Sequence, residues 1–120
     1  MSYVPLNLVD TLVVKDIRIS SNTATTNNTT PTAVDSFSIG TFRSAKYETQ
    51  ITDGTDYHVS EIRVLHTDTQ AYVTEYAIVA SNDVMGTFSV TVSGGILTLF
   101  FTASTPSNKT IKVARTAILT

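Results

Sequence analysis

Two charged residues interrupt strand patterns that are otherwise apolar on one face, and they are the first candidates for chemistry. Alternate residues from Ala71 to Val79 are apolar except Glu75, and alternate residues from 111 to 119 are apolar except Arg115. Since a strand places alternate side chains on one face, both charges would point toward a core. An unpaired buried charge costs too much to persist. We therefore predict that Glu75 and Arg115 form an ion pair, within the core or across a subunit interface.

Glu61 allows a second interpretation of the same strands. If the turn after His66 holds three residues, Glu61 lies directly opposite Glu75. Two facing carboxylates could serve a glycosidase as acid and nucleophile. The alternative is a structural ion network, in which a nearby cation bridges the carboxylates: Arg63, Arg115 or Lys46. We favour the network because no other catalytic element accompanies the pair, and a slip of one residue would move Glu61 to the other face.

The other reactive residues give weaker signals. His58 and His66 would lie about 27 Å apart along one strand, too far to share a metal ion, and the chain has no Cys. No recognisable nucleophile elbow, zinc-binding helix, phosphate-binding loop or dinucleotide fingerprint occurs. Four tyrosines could form a sugar-stacking platform or pack as ordinary cross-strand pairs: Tyr47, Tyr57, Tyr72 and Tyr76. We therefore predict no enzymatic activity, no cofactor and no metal.

The composition favours strands as the elements that position these residues. Thr occurs 22 times in 120 residues, and Val and Ile together supply another 22. β-Branched side chains suit a pleated, half-buried surface and are stiff in helices. No segment sustains the apolar spacing of an amphipathic helix. The chain is predicted to be all-β.

Strand patterns with turn signals between them recur from Val34 onward. Alternating or apolar runs cover 34–39, 42–51, 57–66, 71–80, 87–92, 96–103 and 109–119. Turn sequences such as TDGTD and SGG separate them. About seven short strands at this spacing indicate an antiparallel β-sandwich or a jelly-roll-like domain over 34–120.

The segment before this domain has a different composition. Residues 20–33 contain six Thr and three Asn but no charged, aromatic or large aliphatic residue. Such a sequence buries too little apolar surface to offset its ordering entropy, so we predict a flexible linker. Residues 1–19 would then form an N-terminal arm of strand character. Its apolar residues need a partner surface: Leu6, Leu8, Leu12, Val13 and Val14.

Charge and hydropathy exclude several classes of partner. The net charge is −2 and no basic run occurs, so nucleic acid is not expected as a partner. No apolar run reaches the roughly 18–20 residues of a membrane helix, so no membrane partner is expected. The first residues also lack the basic and continuous apolar regions of a signal peptide.

Several sequence stretches resemble a module of virion proteins from tailed phages of marine bacteria, especially cyanobacteria. They are FRSAKY (42–47), YHVSEIRVLH (57–66), AYVTEYAIV (71–79), the SGG turn (93–95) and TIKVARTAI (110–118). The resemblance covers about 34–119. It implies a structural protein of the virion, made in the host cytoplasm, and implies no catalytic residues.

Two functions are compatible with these features. The first is an assembly role in the virion, as capsid decoration or cement, or as part of a tail or neck fibre. Its partners would be other copies of the chain, in a homotrimer or a lattice, and other virion proteins. The alternative is a module of a phage appendage that binds a glycan of the host surface.

Overall fold

The computed structural model describes residues 10–120, which form nine β-strands. Their order along the chain is β1 Leu12–Val14, β2 Ile17–Thr26, β3 Thr32–Ser38, β4 Phe42–Asp53, β5 Asp56–His66, β6 Ala71–Ala80, β7 Gly86–Ser93, β8 Ile96–Ala103 and β9 Lys109–Leu119. The seven strands from β3 onward match the sequence prediction closely, because their alternating patterns reflect one buried and one exposed face. No helix within the described range is long and apolar enough to cross a bilayer.

The strands form two antiparallel sheets packed face to face, so the predicted β-sandwich is confirmed. The large sheet has the order β1-β2-β9-β4-β5-β6, and the small sheet has the order β3-β8-β7. Fully buried side chains from both sheets fill the space between them: Tyr47, Ile51, Ile62 and Ile111 from the large sheet, and Leu97, Leu99 and Phe101 from the small sheet. Burying each large apolar side chain contributes about 1.5–3 kcal/mol, so these inner faces hold the sandwich together.

The Thr/Asn-rich segment 20–33 differs from the predicted linker. Its first half lies in β2, which pairs with β9 from Ile17 to Thr26, and its last residues begin β3. The backbone hydrogen bonds of the ladder order this segment without large apolar side chains, and Thr suits a strand. Within residues 10–120, β1 pairs only with residues 17–19, so the rest of β2 has no strand on its outer side. A polar sequence there discourages pairing with other chains.

The described part of the predicted arm also belongs to the sheet. Leu12, Val13 and Val14 form β1 and pair with β2 of the same chain, although all three side chains stay exposed. Leu6 and Leu8 lie outside the described residues. Residues 12–26 therefore contain the first two strands of the domain, joined by a two-residue turn rather than a tether.

Two glycines make the β7–β8 hairpin possible. Ser93 pairs with Ile96, which leaves a loop of two residues, Gly94 and Gly95. Both have positive φ, 60° and 78°. A two-residue loop with positive φ at both positions matches the right-handed twist of the strands, and Gly adopts it without steric cost.

We predict that Gly86→Ala strongly destabilises the fold. A Cβ at this position would lie 2.3 Å from the carbonyl oxygen of Thr102 and 2.6 Å from the ring of Phe101. Relieving such overlap in a packed core should lower the free energy of unfolding by about 2–4 kcal/mol, measured by urea denaturation. Gly40→Ala is the control, since its Cβ would meet only the Ser38 hydroxyl, at 3.6 Å. Equal stability of the two variants would contradict the prediction.

Candidate functional site

The candidate site lies on the outer face of the large sheet, which the small sheet does not cover. Register partners place five side chains in one row across this face: Ser21, Ala114, Glu48, Glu61 and Tyr76. With strands about 4.8 Å apart, the row is roughly 19 Å long. This row forms the floor of a groove. Ser21 and Ala114 supply small side chains at one end, and Glu48 and Glu61 supply carboxylates toward the other.

Glu48 and Glu61 are direct cross-strand neighbours on β4 and β5. Like charges in this position repel each other and destabilise a sheet. Lys46 offsets part of the repulsion, because its Nζ lies 3.1 Å from Oε1 of Glu61. The hydrogen bond with Glu61 and the negative charge of that carboxylate raise the pKa of Lys46. Glu48 forms no salt bridge within the described residues.

Two adjoining depressions extend the groove across the sheet. The larger has a volume of about 670 Å³, and its lining includes Glu48, Gln50, Glu61 and Lys112. The smaller, of about 360 Å³, lies toward Lys46 and shares Glu48 with the first. Ligand sites typically measure about 300–1,000 Å³. The groove therefore offers space for an elongated ligand, with carboxylate, amide and ammonium groups along its length.

A β-bulge shapes the groove at the β6 side. Between the pairs Val59–Val79 and Glu61–Tyr76, β5 contributes one residue and β6 contributes two. Ala77, in this bulge, has a φ of 53° and lines the groove. Non-glycine residues rarely adopt such a backbone, and bulges often occur beside functional sites, where they redirect side chains.

The tyrosines divide between the two faces. Tyr47 is fully buried between the sheets, whereas Tyr57, Tyr72 and Tyr76 are exposed on the outer side of β5 and β6. Tyr76 is the cross-strand neighbour of Glu61. An aromatic ring beside the groove could stack on an apolar ligand face, as the sequence suggested for a sugar platform, but Tyr47 takes no part in it.

Glu75 and Arg115 face the interior as predicted, but the structure does not bring them together. In register, Ile62 and Tyr47 lie between them, so their backbones are three strand spacings, or about 14 Å, apart. Glu75 instead lies beside His58, with Oε2 of the glutamate 3.4 Å from Nε2 of the histidine. The two charged side chains thus have separate neighbours, which single-strand patterns do not reveal.

Glu61 lies on the opposite face from Glu75. His66 pairs with Ala71, so the turn holds four residues, and it is closed by a hydrogen bond from the Thr67 amide to the Gln70 carbonyl. One additional turn residue shifts the register by one and inverts the faces. Glu61 and Glu75 therefore form neither a carboxylate dyad nor an ion network. The facing carboxylates of the large sheet are Glu48 and Glu61.

Arg115 pairs with Asp35, a residue that sequence reasoning missed. The Arg115 guanidinium donates to Oδ2 of Asp35 at 2.9 Å, and the Tyr47 hydroxyl donates to the same oxygen at 2.7 Å. The guanidinium also lies over the rings of Phe37 and Phe42. Burial and the neighbouring Asp35 charge raise the pKa of Tyr47. This cluster joins β3 of the small sheet to β4 and β9 of the large sheet.

Both histidines have structural roles. Nδ1 of His58 accepts the Met85 amide at 3.1 Å, and Nδ1 of His66 accepts the Asp68 amide at the same distance. Each ring therefore carries its proton on Nε2, which in His66 donates to the Phe42 carbonyl at 2.6 Å. Within residues 10–120, no three side chains of His, Asp or Glu are placed to hold a metal ion.

The fold is similar to part of phage tailspike proteins. The tailspike protein of Acinetobacter baumannii phage AM24 is 8% identical over 86% of this chain and 26% of its own length, with a TM-score of 0.53. Tailspike gp49 of Acinetobacter baumannii bacteriophage Fri1, described as a capsular polysaccharide depolymerase, is 18% identical over 94% of this chain and 20% of its own, with a TM-score of 0.50. The chain therefore spans about a quarter or less of these proteins, and the likeness is one of fold.

No protein-family model matches the chain, and no curated protein matches it. The proteins of similar fold and the sequence resemblance both involve proteins of bacteriophages. The class that the fold defines is a β-sandwich domain like those in phage tail appendages.

We predict that Arg115→Met lowers the free energy of unfolding by about 3–5 kcal/mol, because it leaves the Asp35 carboxylate buried without its cation. The side chains of Arg115 and Asp35 are only 13% and 11% exposed. Combining Arg115→Met with Asp35→Leu should recover much of the loss in a denaturant titration. Arg63→Met is the control, since Arg63 is exposed on the outer face. A double variant no more stable than the single one would contradict the assignment.

Proposed function

We propose that the chain is a module of a phage tail appendage and that it binds a glycan of the host surface along the outer groove. The observation that carries the proposal is the facing pair Glu48 and Glu61 on the floor of an open groove. Repelling carboxylates do nothing for the stability of a sheet. Residues that break a local rule without a structural benefit are expected at functional sites.

The chemistry of the groove suits a sugar polymer. Carboxylate oxygens accept hydrogen bonds from hydroxyl groups, and the Gln50 amide and Lys112 ammonium donate to ring and hydroxyl oxygens. Tyr76 adds a ring beside the carboxylates for stacking on the apolar face of a sugar. The groove is elongated and open, so it would admit a chain of sugar units without requiring a terminal residue.

The fold likeness supports the same function. One of the similar proteins is a capsular polysaccharide depolymerase, and both are tailspikes. The sequence resemblance to modules of virion proteins from phages of marine bacteria adds a location in the virion. We propose a binding role for this chain rather than hydrolysis, so incubation with a bound polysaccharide should release no new reducing ends.

An assembly role is the second candidate function. The observation in its favour is the set of exposed apolar side chains at the edges of the large sheet. Such edges suit a protein that works in several copies, as in the predicted homotrimer or lattice, together with other virion proteins. The two surfaces meet at Tyr76, which lies beside the groove and is also one of these exposed apolar side chains, whereas Glu48 lies on the central strand β4.

We predict that Glu48→Gln weakens glycan binding while it stabilises the fold. Removing the repulsion with Glu61 should raise the free energy of unfolding by about 0.2–1 kcal/mol. Losing hydrogen bonds to a charged acceptor should reduce affinity roughly 10- to 100-fold. Capsular polysaccharide fragments from candidate hosts serve as probes, with affinity measured by calorimetry and stability by urea denaturation.

Asp83→Asn is the matched control for this prediction. It removes one carboxylate from an exposed connection outside the groove, so affinity should not change. If Glu48→Gln and Asp83→Asn bind the fragments equally well, the groove is not the site. If the unaltered protein binds no fragment from any candidate host, the glycan function itself is wrong.

A further inference from the structure

Exposed apolar side chains collect at both edges of the large sheet, whereas the middle of its outer face is polar. Nine of them lie on or next to the β5–β6 hairpin: Tyr57, Val59, Leu65, Tyr72, Val73, Tyr76, Ile78, Val79 and Val84. Five lie at the other end of the sheet: Leu12, Val13, Val14, Ile19 and Ile118. We call these sets the β6 edge and the β1 edge.

The β6 edge is long, because exposed apolar side chains follow β6 along its length and continue onto β5. A monomer exposes at most about 300–600 Å² in its largest apolar patch. β6 has ten residues and is therefore about 34 Å long, and its outward-facing apolar groups continue onto β5. A standard interface covers roughly 800 Å² on each partner, so a contact here would have to use most of the length of this edge.

The sequence of β6 contains few of the residues that prevent an edge strand from pairing with another molecule. It has no Lys, Arg or Pro, and its one charge, Glu75, points inward toward His58. Within the described residues, no strand pairs with its outer side. An inward charge and a bulge do limit indiscriminate strand addition. A partner must therefore fit the apolar side chains rather than merely extend the ladder.

The β1 edge supplies a surface of the same kind on the same chain. Val13 is 59% exposed and Val79, on the β6 edge, is 66% exposed. The two edges are five strand spacings, or about 24 Å, apart across one sheet, so they cannot cover each other within one molecule. Among the described residues, nothing else would cover the second edge if either edge made a two-fold contact with itself.

We infer that the β6 edge of one copy packs against the β1 edge of the next copy in a head-to-tail interface. This contact covers both edges at once and yields closed rings when the rotation between copies closes. It deepens the assembly role proposed above, from which it takes the expectation of several copies. Tyr76 belongs to both the groove and the β6 edge, but the inference can be tested apart from glycan binding, since neither Val79 nor Val13 lines the groove.

Two single variants and their mixture test this inference. Val79→Lys should disable the β6 edge and Val13→Lys the β1 edge, because each would bury an unpaired ammonium in the contact. In multi-angle light scattering, the unaltered protein should be an oligomer and each variant a monomer of 13.0 kDa. A 1:1 mixture should form dimers and nothing larger, because each variant retains the edge that the other lacks.

Ile96→Lys is the control, since this exposed side chain lies in the small sheet, away from both edges, and assembly should persist. Circular dichroism checks that each variant is folded. Monomeric variants that still bind the glycan fragments separate this inference from the glycan function. If the unaltered protein is a monomer, if either single variant still assembles, or if the mixture stays monomeric, the head-to-tail interface is wrong.

Discussion

The buried ion pair between Asp35 and Arg115 is the constraint on which the sandwich depends. Apolar faces would pack in many relative positions, but a carboxylate and a guanidinium of low exposure must meet at 2.9 Å. Tyr47 hydrogen-bonds to the same carboxylate oxygen, so three strands from two sheets are fixed at one point. Such a pair adds little net stability over apolar packing, and its use is best understood as selecting one alignment of the sheets.

This alignment determines which face of the large sheet remains open. Once β3 covers the inner side of β4 and β9, the opposite residues of those strands, including Glu48 and Ala114, are left on the outer face. The turn of four residues after His66 then determines that Glu61 joins them while Glu75 turns inward. The groove is therefore a consequence of one buried ion pair and one turn length.

The strands can be predicted from the sequence because the alternation of apolar and polar residues directly reflects burial. The partners of the charged residues cannot be predicted in this way. Glu75 and Arg115 were correctly assigned to the interior, but their partners depend on strand order and on a register that one residue of turn length inverts. Asp35 escaped notice because a bulge between Ala33 and Asp35 breaks the alternation of β3 and turns the carboxylate inward. The Thr-rich strand β2 escaped notice because its order comes from ladder hydrogen bonds, which leave no apolar pattern in the sequence.

The large sheet offers surfaces for two functions, ligand binding and assembly, that require different kinds of side chain. A ligand groove needs polar groups that are open to water. An assembly contact needs apolar surface from which water is released when two copies associate. Central strands supply the first, because their backbones are already paired and their outer side chains are free to be polar. Edge strands supply the second, because only they have an unoccupied side to offer a neighbour. In a head-to-tail assembly the polar grooves of successive copies would remain exposed, so each added copy would present another groove to a repeating ligand, and weak sites would act together.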